Sequence, residues 1–279
     1  MQNINKISNY ILFLIILLFL TTISFAEETL LIFAGSASKP VLEEINRNFE
    51  NENKVRVEIN FGGSGSILSQ MKLARKGDVY ISGSSDFMEK AKDAKLILPE
   101  TEEIIAYLIP SLCVQKDNPE KINSLEDLAN KDVRLGIGVP QTVCVGLYAV
   151  EIIEGSGLEE KIKPKIVTNA ESCEKTASLL VMKKVDAVFG WNVFENWAPD
   201  KIKSIPVEAK YLKRIGYIPA AVSIYCKNKE LALKYIRYLK TQKIQELIRK
   251  NGYETDEDEI KKTYPGVEIG GNYSLPDGW

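Results

Sequence analysis

Residues Leu31–Ile45 read LIFAGSASKPVLEEI, and the order of residue types in this stretch decides the fold. The apolar run Thr29 to Ala34 (TLLIFA) has strand character. It ends in four small residues, Gly35-Ser36-Ala37-Ser38, after which Pro40 opens an amphipathic segment that continues to Phe49. Strand, small-residue turn, proline in the first helical turn: the stretch predicts a β–loop–α unit whose helix starts at the turn. The unit then recurs. Val55 to Phe61 (VRVEINF) alternates as a strand, passes through Gly62-Gly63-Ser64-Gly65-Ser66 and enters a helical pattern from Ile67 to Arg75. Asp78 to Ser82 (DVYIS), Gly83-Ser84-Ser85-Asp86 and a helix through Lys92 form the third. Repeated βα units imply a mostly parallel sheet with helices on both faces.

Further along, Ala106 to Gln115 (AYLIPSLCVQ) is a long apolar strand ended by Asn118-Pro119. Ser124-x-x-Asp127 has the form of a helix cap. A second set of units follows: strand Val133 to Val139 and a helix to Glu154, strand Lys165 to Ala170 and a helix to Lys184, then strand Asp186 to Gly190. Ala220 to Cys226 is the candidate return strand, and Lys229 to Lys250 reads as one amphipathic helix closed by Gly252. The expected fold is α/β: two α/β lobes with mostly parallel sheets joined by crossing hinge strands. Residues 27–108 plus 226–279 would form lobe 1 and 109–225 lobe 2. The tail after Gly252 is expected to wrap the surface with no chemical role.

Composition narrows the function. The 279 residues hold 36 Lys and Arg against 38 Asp and Glu, a net charge of −2, and 45% are apolar. That balance argues against a nucleic-acid binder. There is no histidine, so the usual general base and the commonest zinc ligand are missing. Residues 1–26 have the form of a signal peptide: Lys6, the apolar Ile11 to Leu20, and Ser24-Phe25-Ala26 before a cleavage point at Glu27. The competing reading is an uncleaved anchor, for which Tyr10 to Ile23 is short against a bilayer core of about 30 Å. The mature chain is expected outside the cytoplasm, in the periplasm or on the outer face of the cytoplasmic membrane.

The chemistry lies in the turns. GSAS and GGSGS each sit between a strand and a helix, where backbone N–H groups and the positive end of the helix dipole point at one spot. Neither contains Lys or Arg, and neutral donors of this kind can hold a fully ionised dianion. At this point the chain resembles the periplasmic molybdate-binding proteins of ABC importers, of the type 2 periplasmic binding-protein fold. The residues that carry the likeness are LIFAGSASKPVLEEI, FGGSGSILSQM (Phe61 to Met71), GDVYISGSSDFMEKA (Gly77 to Ala91), GVPQTVCVGLYAVEII (Gly138 to Ile153), VDAVFGWNVFE (Val185 to Glu195) and IRKNGY. The resemblance implies a receptor that closes on molybdate or tungstate and passes it to a membrane permease, as a monomer, with no cofactor and no resident metal. It places ligand contacts at Ser36, Ala37, Ser64, Val145 and Cys173. The family's usual serine falls on Ala37, so Ser36 or the Ala37 N–H is expected to substitute. Where many members have a ligand-binding Tyr hydroxyl, this chain has Phe189-Gly190-Trp191.

Under the same resemblance Cys144 and Cys173 lie beside second-lobe ligand loops, as either a bridge or two buried thiols. Cys113 and Cys226 fall on the proposed crossing strands, again bridged or simply buried. Trp191 and Trp197 are read as core or cleft-lining. The paired glutamates (Glu43-Glu44, Glu102-Glu103, Glu159-Glu160) read as solvated helix faces. The other readings are a receptor for sulfate or phosphate, with Asp86 as the one nearby acceptor for a protonated oxyanion; a secreted hydrolase using Ser64 or Cys144; and a ligand sensor without transport.

Overall fold

The computed structural model describes residues 28–279, so the expected signal segment lies outside the described residues. The opening stretch forms β1 (Thr29–Gly35) and α1 (Lys39–Asn53), the second unit β2 (Arg56–Gly62) and α2 (Ser64–Ala74), the third β3 (Val79–Ile81) and α3 (Ser85–Asp93). Pro40 stands in the first turn of α1, where its missing N–H costs nothing. Strand β1 pairs in parallel with both β2 and β3, with Gly35 opposite Gly62 and Ala34 opposite Ile81. This register brings the three small-residue turns to one edge of the sheet.

The chain then leaves for the second lobe. The expected single strand Ala106 to Gln115 is two, β4 (Glu103–Leu108) and β5 (Pro110–Gln115). Strand β4 belongs to the first sheet and β5 to the second. At the break, the Ile109 N–H donates to the Asn192 side chain at 3.2 Å, and the Asn192 N–H to the Ile109 carbonyl at 2.9 Å. The second lobe contains α4 (Leu125–Asn130), β6 (Leu135–Gly138), α5 (Cys144–Gly155), α6 (Glu159–Ile162), β7 (Ile166–Ala170), α7 (Cys173–Val181), β8 (Ala187–Trp191), α8 (Phe194–Trp197) and β9 (Ile202–Pro206). Its sheet has the order β7-β6-β8-β5-β9. Ser124 caps α4 through the Asp127 N–H at 3.0 Å, as its motif predicts.

The return strand is β10 (Arg214–Val222), followed by α9 (Lys229–Leu239), α10 (Gln242–Lys250), α11 (Glu257–Thr263) and the short β11 (Glu268–Ile269). The first sheet runs β11-β10-β3-β1-β2, with β4 also on β10. The two-lobed α/β architecture holds, but both sheets are mixed. Strand β10 is antiparallel to β3 and β4, and β5 is antiparallel to β8 and β9. Strands that cross over from the other lobe enter against the direction of the βα units. The expected lobe ranges divide the chain elsewhere: β10 falls inside 109–225, yet its hydrogen bonds are to the first sheet. The single helix expected over Lys229 to Lys250 breaks at Lys240-Thr241, because Thr241 is extended (φ −65°, ψ 147°) and starts α10.

Helix α1 buries Val41, Leu42, Ile45 and Phe49. The Phe49 ring stands edge-on to Tyr235 of α9 at 5.1 Å, and each such side chain contributes about 1.5–3 kcal/mol by leaving water. Leu112, Leu135, Ile137, Ile153 and Phe189 fill the second-lobe core. Among the described residues no helix is long and apolar enough to cross a membrane.

The tail is more than a surface wrap. Strand β11 pairs with β10. The Tyr273 N–H donates to Asp86 on α3 at 2.9 Å, while its hydroxyl donates to Glu154 on α5. The Trp279 indole N–H also reaches Glu154, at 2.9 Å. The strap therefore touches both lobes.

Candidate functional site

The lobes meet where the turns were expected to act. The Ser36 hydroxyl, in the turn after β1, accepts from the Glu174 N–H at 3.3 Å. The Gly65 N–H donates to the Thr142 carbonyl at 2.9 Å, and Lys39 pairs with Glu174 at 2.8 Å. All three contacts cross the cleft. A Cβ on Gly63 would lie 2.8 Å from both the Glu171 and Thr142 carbonyl oxygens, so here close approach of the other lobe, not backbone torsion, requires glycine.

The five predicted residues come together inside this closed seam. Ser36, Ala37, Ser64, Val145 and Cys173 are all 0–2% exposed. Gly83 stands beside two of them and beside Cys144: a Cβ there would lie 2.6 Å from Cys144 Sγ, 3.2 Å from Ser64 Oγ and 3.3 Å from Ala37 Cβ. Ser64 Oγ accepts from the Gly83 N–H at 3.0 Å. Both serine hydroxyls therefore act as acceptors and keep a proton to donate. Ala37 is fixed by its carbonyl, which accepts from the Tyr253 hydroxyl at 2.7 Å.

Three helices begin at the site. Ser64 is the first residue of α2, Cys144 and Val145 the first two of α5, and Cys173 the first of α7. The opening N–H groups of a helix have no partner within it, and each N-terminus carries roughly half a positive charge. Ser172 caps α7 through the Lys175 N–H at 3.1 Å, which fixes its direction.

Cys144 and Cys173 bring their sulfurs to 3.4 Å, and all four cysteines are free thiols. Burial opposes ionisation of both. For Cys173, hydrogen bonds from the Cys144 thiol and the Val145 N–H outweigh it and hold the thiol below its usual range. Burial and the neighbouring sulfur push Cys144 well up. Cys113 and Cys226 are not a pair: Cys113 contacts the Trp191 carbonyl at 3.7 Å, whereas Cys226 lies beside Asp78. Burial pushes the Cys226 thiol up to about 11.

Two buried donors lie near the thiols: Trp191, expected as core or cleft-lining, and Tyr148, which no motif marks. Tyr148, one turn beyond Cys144, and Trp191 are fully buried, with ring centroids 5.0 Å apart. The Tyr148 hydroxyl has no hydrogen-bond partner, whereas the Trp191 indole N–H is a neighbour of the Cys173 sulfur and favours its thiolate. Phe189 instead joins the second-lobe core. Gly83, Thr142 and Tyr148 were missed because nothing local marks them; only the lobe contact does. Asp86 is 3% exposed and committed to Arg214 at 2.9 Å and to Tyr273. It is thus unavailable as an acceptor for a protonated oxyanion. A groove of about 690 Å³ lined by Ser36, Gly63, Ser66, Thr142, Ser172 and Lys175 leads to the seam.

Two α/β lobes closed over helix N-termini and buried hydroxyls define a two-lobed binding protein. The chain belongs to the bacterial extracellular solute-binding proteins, whose family model matches residues 30–254. A binding protein of Haemophilus influenzae is 29% identical over 197 residues, 67% of this chain and 76% of its own length. The molybdate-binding protein ModA of Escherichia coli is 23% identical over 237 residues, 81% of this chain and 89% of its own. The periplasmic molybdate-binding protein of Azotobacter vinelandii superposes with a TM-score of 0.73 at 21% identity, over 82% of this chain and all of that structure. The sulfate-binding protein SubI of Mycobacterium tuberculosis superposes with a TM-score of 0.72 at 12% identity, over 87% of this chain and 93% of that structure. The structural likenesses show the fold.

Proposed function

We propose that the protein captures a tetrahedral oxyanion, molybdate or tungstate, between its lobes outside the cytoplasm and delivers it to the permease of an ABC importer, acting as a monomer and not as an enzyme. The observation that carries this reading is the convergence of three helix N-termini and two buried hydroxyls on one seam. Ser36, the Ala37 N–H, Ser64, the Val145 N–H and the Cys173 N–H are the proposed donors. A dry set of fixed dipoles suits a fully ionised dianion, whose lost hydration they replace. The molybdate-binding relatives support the choice of ion. The engagement of Asp86 by Arg214 and Tyr273 weighs against phosphate. No base reaches Ser64, whose oxygen is occupied by the Gly83 N–H, and this weighs against a hydrolase.

The groove at the mouth is the proposed entry route, and closure is the signal that the permease reads. Calorimetry of the mature chain with molybdate, tungstate, sulfate and phosphate tests the proposal. Heat and a thermal shift with molybdate or tungstate are expected. Silence from all four would overturn it.

A further inference from the structure

Cys144 and Cys173 stand 29 residues apart in sequence and 3.4 Å apart at their sulfurs, on the first residues of α5 and α7. Contact at that distance is closer than folding alone requires of two buried thiols, and nothing separates them. The pair is also sealed. Both residues are 1–2% exposed, and Cys144 Sγ faces Gly83 of the other lobe, where even a methyl group would collide at 2.6 Å. Cys113 and Cys226 have no such neighbour. The lid over the pair is thus the first lobe itself, and parting the lobes is what uncovers it.

We propose that Cys144 and Cys173 form a thiol–disulfide site that is oxidised when the lobes are open and shielded when they are closed. The oxidant is a small disulfide such as oxidised glutathione. One cysteine thiolate attacks the small disulfide and expels one thiolate; the partner cysteine then attacks the mixed disulfide and expels the second. Two thiols become one S–S bond, the small disulfide becomes two thiols, and two protons and two electrons move with them. Cys173 is the first attacker, since its neighbours already favour the thiolate.

The bond draws the sulfurs from 3.4 Å to about 2.05 Å and ties the start of α5 to the start of α7. It thereby fixes the opening N–H groups of the two helices, Val145 and Cys173 among them, relative to one another before the anion arrives. On the oxyanion reading above, on which this consequence rests, the oxidised protein binds molybdate about tenfold or more tightly than the reduced one.

The experiment uses the full mature chain, reduced with dithiothreitol or equilibrated with oxidised glutathione, each with and without molybdate. Free thiols are counted after denaturation, and peptides are mapped. Without anion, two thiols should be lost and map to a Cys144–Cys173 bridge, with Cys113 and Cys226 unmodified. Molybdate should slow the loss, and Cys144→Ser or Cys173→Ser should abolish the bridge. Four thiols surviving the oxidant, or glutathione found on Cys226 alone, overturns the proposal. A bridge that forms with equal molybdate affinity in both states overturns the control of binding. If neither state gives heat with any anion, the oxyanion reading fails, and the thiol count alone decides the site.

Discussion

The Ser36 hydroxyl accepts a hydrogen bond from the Glu174 N–H at 3.3 Å, and the two residues belong to different lobes. One side chain thus belongs to the proposed binding set and to the closing contact together. Ser36→Ala should lower molybdate affinity by about 1.5–3 kcal/mol, the worth of a hydrogen bond to a charged group. Ser64→Ala should do the same, with loss of its hydrogen bond to the Gly83 N–H and of its contact with Cys144 across the seam. Calorimetry gives the affinities. Radius of gyration without ligand should rise for Ser36→Ala.

Gly83→Ala should hold the lobes apart, since the new methyl group meets Cys144 Sγ at 2.6 Å. Molybdate binding should fall at least tenfold, with a larger radius of gyration in scattering. Adding Cys144→Ala should restore closure, because the next neighbours, Ser64 Oγ and Ala37 Cβ, stand at 3.2 and 3.3 Å. A double variant as open as the single one would remove the sulfur from this account.

Trp191→Phe keeps a ring against Tyr148 but deletes the indole N–H that favours the Cys173 thiolate and leaves a void at a fully buried position. Shrinking a buried side chain costs stability, so the variant should unfold at lower urea than the parent and its Cys173 thiol should titrate higher. If the anion engages this N–H, affinity should drop about tenfold or more in the same protein.

Arg214 is 3% exposed and holds Asp86 at 2.9 Å and Glu151 at 2.7 Å. Arg214→Met strands the buried Asp86 carboxylate and the half-buried Glu151. Removing one partner of a buried pair costs about 3–5 kcal/mol, which urea unfolding at neutral pH should show. Burial already raises the Glu151 carboxyl, so part of the loss should return on acidification as the stranded groups take up protons.

Asp186 receives the Arg134 side chain at 2.8 and 3.1 Å and the Arg134 N–H at 2.8 Å, and the Arg134 side-chain bond is the main cause that holds its carboxyl below the ordinary value. A lowered folded-state pKa contributes stability that is present above the unfolded value, about 3.9, and is lost as pH falls through the folded one. Arg134→Met should flatten that acid-side fall, measured by urea unfolding between pH 5 and about 2.

The three first-lobe units are legible in sequence because each is built from local pattern: alternation, small residues, then helical periodicity. Ser124 and Gly252 are legible for the same reason, as cap and terminator. The break at Ile109 is not, because Asn192 imposes it from 83 residues away. The mixed character of the sheets also escapes local reading: strand direction depends on where the chain last was, and nothing within Arg214–Val222 records that. At the site, Ser64 is readable from its turn. Gly83 and Tyr148 gain their role only when the second lobe closes against the first.

Tyr273 fastens to Asp86 with its backbone and to Glu154 with its side chain. The two lobes are therefore connected by three passages of chain, not two, and the third is held by a short strand and by hydrogen bonds to Tyr273, Gly271 and Trp279. Any swing at the crossing strands has to detach one end of this tether. Tyr273 and Trp279 thus oppose opening from a point outside the proposed anion site, and cutting them loose should widen the angle between the lobes without touching a ligand contact.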